Sequence, residues 1–267
     1  MSALTYTVTD SATMLRRNLR RLLHYPSMTL LLVGMPIVFL LLFVYVFGGQ
    51  LGAGLDRDLG GGHTGRAGYV NYITPGILLM SVAAAVQGTA IVVAMDMTGG
   101  IIDRFRTMAI ARASVLTGHV LASVIQALAS IAIVLGVAIA LGFHPTANPA
   151  DWLAAIGVLL LFTLALIWLA TALGLAAKSV ETASNTPMFL TLLPFLSSAF
   201  VPTATMPAGL RQFATYQPFT PVIETVRGLL TGTPIGANAI AAIAWSVGIA
   251  VASYLWARHL YDHRHAR

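Results

Sequence analysis

The residues that do chemistry in most proteins are sparse here, and their spacing excludes most catalysis. There is no cysteine, which removes disulfides, thiolate metal sites and thiol nucleophiles. Neither a Gly-x-Ser-x-Gly elbow nor a His-Glu-x-x-His metal motif occurs, and no pair of carboxylates falls inside an apolar run. His259 and His263, one helical turn apart with Asp262 and His265 alongside, have metal-ligand spacing, but they stand in a C-terminal tail that reads as a solvated end. Ala172–Ser179 ends in Lys178-Ser179 like a phosphate loop, yet alanines occupy positions 172 and 177, where that loop needs glycine for close backbone approach to phosphate. Gly52-Ala-Gly-Leu-Asp56 misses the Gly-x-Gly-Asp of intramembrane aspartyl proteases by one residue. No catalytic residue, no metal and no cofactor is therefore assigned to this chain.

What remains are polar side chains in apolar surroundings. Gln87 and Gln126 lie within long apolar runs, where they either hydrogen-bond a neighbouring helix or meet a substrate. Phe195, Ser197 and Ser198 follow Pro194, between Pro187 and Pro202. Broken helices often line cavities, so these residues with the two glutamines form a candidate substrate path. His119 and His144 stand near the ends of apolar runs and are read as interfacial packing residues.

The elements that position these residues are membrane spans. Of the 267 residues, 57% are hydrophobic and only 9% charged, with a mean hydropathy of +0.82. A soluble domain carries about 25% charged residues. A helix of about 20 apolar residues crosses the hydrocarbon core, and the chain offers six such runs, at about 28–47, 75–95, 115–141, 152–177, 184–202 and 239–257. Helices are required because lipid offers backbone groups no partners. The alternation of a barrel is absent, and a first apolar run of span length without a small-residue cleavage site is not a signal peptide.

The net charge of +6 rests on fourteen arginines and one lysine, Lys178. With six spans both termini share a side. That side carries Arg16, Arg17, Arg20, Arg21, Arg104, Arg106, Arg112, Lys178, Arg258, Arg264 and Arg267, against Arg57, Arg66, Arg211 and Arg227 opposite. This bias places both termini in the cytoplasm. It also explains the basic pI without nucleic acid, since charges sorted by topology form no continuous groove.

Three segments between spans carry information. In residues 10–25, Leu15, Leu19, Leu22 and Leu23 share one helical face, and Arg16, Arg17, Arg20 and Arg21 the opposite one. This is an amphipathic helix lying in the membrane surface, with Pro26 ending it before the first span. In the cytoplasmic loop 97–112, Ile101, Ile102 and Phe105 are apolar among Asp103, Arg104 and Arg106. That pattern suits either a partner's groove or the lipid surface. In the outer segment 203–238, Thr220-Pro221 reads as an N-cap followed by proline at the first helical position. Val222, Val226, Leu229 and Leu230 line one side of the helix that follows, Glu224 and Arg227 pair on its polar face, and Gly232 ends it. About ten residues cannot span the bilayer, so this segment is expected to be a re-entrant helical hairpin between the fifth and sixth spans. The loop Gly48–Gly68 reads as a flexible glycine-rich connector, and Ala244, Gly248 and Ala252 as a small-residue stripe for close packing within the chain or to a second copy. The fold class is thus an all-α membrane protein, residues 1–267 forming a single transmembrane domain.

Two motifs in this order, Asp-x-x-x-Gly-Ile-Ile-Asp-Arg-Phe-Arg at Asp96–Arg106 and Gln-Pro-x-Thr-Pro-x-x-x-x-x-Arg-x-Leu-x-x-Gly at Gln217–Gly232, make the chain resemble the membrane subunits of type-2 ATP-binding-cassette (ABC) exporters. The likeness is to the actinobacterial daunorubicin/doxorubicin-resistance permease group and covers nearly the whole sequence. It implies a permease subunit in the bacterial plasma membrane that exports hydrophobic or amphiphilic drugs. The same architecture also serves lipid, lipid-linked glycan and polyketide exporters. An intramembrane enzyme or a membrane scaffold is the alternative outside this class. The resemblance further implies a coupling helix at 100–107 seated on a separate ABC ATPase, with Ile101, Ile102, Asp103, Arg104, Phe105 and Arg106 at the contact. ATP and Mg would be held by that partner. A second permease copy, the lipid bilayer and a small hydrophobic substrate complete the partners. Family members often carry proline where Ala109 stands, so the end of the coupling segment differs here.

Overall fold

A computed structural model of the chain describes residues 26–58, 65–98 and 112–263. The expected interface helix at 10–25 with its four arginines, and the coupling residues Ile101–Arg106, lie outside the described residues. Those described form helices α1 (Pro26–Leu42), α2 (Gly48–Asp58), α3 (Gly65–Thr98), α4 (Arg112–Ala140), α5 (Pro149–Ala176), α6 (Val180–Asn185), α7 (Met188–Leu192), α8 (Ala208–Tyr216), α9 (Phe219–Thr231) and α10 (Asn238–His263). A π-turn at Phe43–Phe47 joins α1 to α2, and short 3-10 turns occupy Leu193–Leu196 and Thr203–Thr205.

Among the described residues, five helices are long and apolar enough to cross a membrane: Leu32–Gly54, Gly65–Met97, Thr117–Ala140, Pro149–Ala176 and Asn238–Tyr261. The middle of the bundle is α3, whose apolar window is 72% buried, whereas α10 stands at the rim with 17%. α3 packs against α5, α4, α2 and α1, and α10 packs chiefly on α5.

Two expectations change. The connector Gly48–Gly68 is largely helical: α2 continues the first span, and α3 starts at Gly65, ten positions before the expected start at Pro75. The glycines mark a close approach, since a Cβ on Gly52 would lie 2.4 Å from the Gly65 carbonyl oxygen. Pro75 sits inside α3 rather than at its start, which a span tolerates when neighbouring groups satisfy the freed backbone.

The expected run 184–202 is not one continuous helix. α6 ends at Asn185 before Pro187, and α7 gives way to a 3-10 turn at Leu193, with Pro194 in its first turn. This broken segment runs antiparallel along α3. Ala183 clusters with Ala94, the Ser184 carbonyl accepts from Gln87 Nε2 at 3.2 Å, Ala199 lies against Gly76, and the Phe200 carbonyl accepts from the Tyr69 hydroxyl. Along α3, positions 94 to 69 cover about 37 Å at 1.5 Å per residue. The facing stretch 183–200 would reach only about 26 Å as a continuous α-helix. The four-residue 3-10 turn adds only about 2 Å, so most of the difference falls to the non-helical residues at 186–187 and 197–200.

α5 begins with an Asn148 capping box closed by Asp151, with Pro149 in its first turn. The sequence carries that signal in Asn148-Pro149-Ala150-Asp151, three residues ahead of the expected start at 152.

A buried arginine clamp at one end of the bundle

α9 is the element the sequence describes best and misplaces most. Val222, Val226 and Leu230 are buried as expected, and Gly232 ends the helix in the left-handed region at φ +73°. The Thr220-Pro221 start is corrected. α9 begins at Phe219, whose N–H is taken by Gln217 Oε1 at 3.1 Å. Thr220 is buried inside the first turn, where its hydroxyl donates to the Ala214 carbonyl and accepts the Ser198 N–H. The cap therefore comes from a side chain two positions ahead of the helix, and Thr220 becomes a brace between α8 and the turn after Leu196.

Glu224 and Arg227 do form the expected i,i+3 ion pair. The polar face, however, points inward at Arg227, which is only 5% exposed. Its Nε donates to the Tyr72 carbonyl at 3.1 Å and its Nη2 to the Ser198 carbonyl at 2.7 Å, while Nη1 meets Glu224. The guanidinium carbon lies 3.9 Å from the Tyr72 ring centroid, and the Tyr72 hydroxyl donates to the same Ser198 carbonyl at 3.1 Å. One side chain thus ties α3, the 197–200 turn and α9. A buried guanidinium is costly unless its charge and donors are met, and here a carboxylate, two carbonyls and an aromatic face meet them.

The turn is held from the other side as well. A Cβ on Gly76 would lie 2.5 Å from Ala199 Cβ. Ser197 and Ser198 are buried. Ser197 Oγ donates to the Pro194 carbonyl and accepts the Ala199 N–H, which shapes the turn. Ser198 Oγ has no hydrogen-bond partner among the described residues. Phe195 is 36% exposed and stacks on Phe200, with its edge contact to Phe39 of α1. Gln87 bonds a neighbouring backbone rather than standing open. Gln126 is half-buried on α4.

Beside the clamp lies a cavity of about 230 Å³, walled by Asn71 and Tyr72 of α3, Thr203 and Ala204, Glu224, Arg227 and Thr231 of α9, and Thr233 and Pro234. The loops share this end: His144 N–H donates to Asn71 Oδ1 and Thr146 N–H to the Leu230 carbonyl.

The opposite end holds a second buried pair that sequence reasoning missed. His119 Nε2 lies 3.1 Å from Asp96 Oδ2, with 7% and 2% of these side chains exposed. The sequence suggests only interfacial packing for His119; it instead joins α4 to Asp96 near the end of α3. The basic residues divide accordingly. Arg66, Arg211 and Arg227 belong to the clamp end. Lys178 follows Ala177, which clusters with Ala94, and Arg258 follows Ala257, which clusters with Val93. His259 lies within α10 rather than in a loose tail, and no group of three potential metal ligands occurs among the described residues.

Residues 10–231 match the family model described as ABC-2 type transporter. The chain belongs to that family of ABC-transporter membrane proteins. It is 28% identical over 243 residues to the daunorubicin resistance ABC transporter permease protein of Streptomyces coeruleorubidus, covering 91% of this chain and 79% of that one. It is also 26% identical over 177 residues to a probable doxorubicin resistance ABC transporter permease protein of Mycobacterium tuberculosis, covering 65% and 64% respectively.

Proposed function

We propose that this chain is the membrane-spanning permease subunit of an ATP-driven exporter of hydrophobic or amphiphilic compounds, of the drug-resistance kind that the names of its relatives describe. The family match over 10–231 carries the reading. In this reading the bundle crosses the bacterial plasma membrane six times. The broken segment 180–202 is the fifth crossing, supported by its antiparallel course along α3 from Ala94 to Tyr69. The clamp end is the outer face and 203–231 its re-entrant hairpin, supported by the sorting of basic residues. Both termini are cytoplasmic, and residues 10–25 lie in the inner membrane surface.

ATP and Mg belong to a separate ATPase subunit, and 97–112 is the coupling loop that docks on it. The Asp96–His119 pair holds the two ends of that loop together, so a push on Ile101–Arg106 reaches α3 and α4 as one body. α3 carries the Tyr72 carbonyl held by Arg227, so the push ends at the outer clamp. ATP binding does work only through differential contact with the ATP-closed partner. A second permease copy faces the α1 and 188–196 surface, where Met188, Phe189, Leu192 and Phe195 are exposed. An amphiphilic substrate leaves between the copies.

Phe105→Asp tests the coupling assignment in a complex co-purified with its ATPase. The expected result is loss of substrate-stimulated ATPase activity and of export, with the permease still monodisperse. Unchanged stimulation and export would overturn the docking role.

A further inference from the structure

The cavity beside Arg227 is lined by groups of one particular chemistry. Glu224 gives one carboxylate oxygen, Oε1, to Arg227; Oε2 has no partner among the described residues, and the side chain is 29% exposed. Asn71 spends its Oδ1 on the His144 N–H, which leaves its amide NH2 group to donate. Thr203 and Thr233 line the same space with hydroxyls bonded to no described residue. The cavity thus offers a strong acceptor, a donor and groups that do both.

Charge narrows the class. Arg227 and Glu224 offset each other, so a charged guest would sit beside a compensated pair with no counter-charge of its own, at a desolvation cost. Uncharged hydroxyls fit, because each donates and accepts at once. Size narrows it again: about 230 Å³ is below the roughly 300–1,000 Å³ of a site that encloses a drug-sized ligand. One ring-sized head fits, with its apolar tail outside.

We propose that this cavity is a binding site for the uncharged, hydroxyl-bearing head group of an amphiphile, with Glu224 Oε2 as its principal acceptor and Asn71, Thr203 and Thr233 as its further polar contacts. The guest's apolar tail and its passage as a stage in export rest on the permease reading above; the hydroxyl-binding cavity does not.

The absence of cysteine provides the test. In the full chain in nanodiscs, Ala204→Cys supplies a single thiol in the cavity wall. Gly209→Cys, on the open face of α8, supplies a control. Maleimide labelling is followed against octyl β-D-glucoside below its micelle concentration, with octyltrimethylammonium and octyl sulfate as chain-matched charged probes. Octyl glucoside should slow labelling of Ala204→Cys saturably and leave Gly209→Cys unaffected. The charged probes should need at least about tenfold more, and Glu224→Gln should raise the half-protecting glucoside concentration about tenfold, the scale of one hydrogen bond to a charged group. Thr203→Val, away from the ion pair, should raise it about threefold and covers the case in which Glu224→Gln does not fold. Equal protection by all three amphiphiles, protection of the control thiol, or insensitivity to both substitutions would overturn the site. The assay involves neither ATPase nor transport, so its failure leaves the Phe105→Asp result standing, and the reverse also holds.

Discussion

Arg227 is the residue on which the clamp end depends. Its partners are the Tyr72 and Ser198 carbonyls and Glu224. Removing it leaves a carboxylate, which can hydrate because it is partly exposed, a Tyr72 carbonyl that has lost its charged donor, and a Ser198 carbonyl that keeps only the Tyr72 hydroxyl. Arg227→Ala is expected to cost about 3 kcal/mol, from lost charged hydrogen bonds and stranded acceptors. Arg227→Lys should recover less than half of that, because a single ammonium cannot reproduce the planar fork or its stacking on Tyr72. Denaturant midpoints in mixed micelles measure both. Equal stability of Arg227→Ala and the parent chain would mean that the clamp holds nothing. Asp96 and His119 form the analogous pair at the far end, and Asp96→Asn should reduce ATPase stimulation by substrate more than it reduces stability.

At the scale of elements, three of the close approaches that glycines permit join separate parts of the bundle. A Cβ on Gly76 meets Ala199 at 2.5 Å, one on Gly174 meets the Ala90 carbonyl oxygen at 2.7 Å, and one on Gly52 meets the Gly65 carbonyl. Gly88, also within α3, has its nearest contact at 3.9 Å, to Leu32. Alanine at 76 or 174 should therefore destabilise by about 1–3 kcal/mol through forced separation of elements. Alanine at 88 should be neutral or stabilising by up to about 1 kcal/mol, since only helix propensity changes. A thermal-shift series over these variants separates packing from propensity, and a uniform response would contradict the contact assignments. Of these glycines, only those in the 48–68 stretch drew notice in the sequence, and there they read as looseness. A glycine that permits contact and a glycine that permits bending look alike until the neighbour is known.

Among the described residues α3 and α9 are densely packed, and the other long helices are half-covered. Exposed Ile240, Val247, Val251 and Leu255 on α10 would be a liability in water and are ordinary in lipid. α10 packs inward through Ala242, Ser246, Ser253 and Ala257, while the Ala244, Gly248 and Ala252 stripe lies outside the intrachain contact. The reading with six crossings makes a topological prediction. A thiol at Ser179 and a thiol at Thr203 should react with an impermeant maleimide from opposite sides of a sealed vesicle, with Ser179 on the side of Arg104. Labelling of both from one side would reduce segment 180–202 to a surface excursion.

Hydropathy alone located the long helices, because about 20 apolar residues in succession have one stable environment. The Glu224–Arg227 pair was legible because it spans three positions on one helix. The clamp was not. Tyr72 and Arg227 stand 155 positions apart, and Asp96 and His119 lie on different helices. No periodicity records which carbonyl a buried arginine will reach. The fifth apolar run was visible as grease and proline, but its broken course follows from the length of α3 it must accompany. Local sequence therefore determined which segments are apolar, and tertiary packing decided where the few polar groups inside them find partners, since a buried charge is stable only where distant backbone happens to receive it.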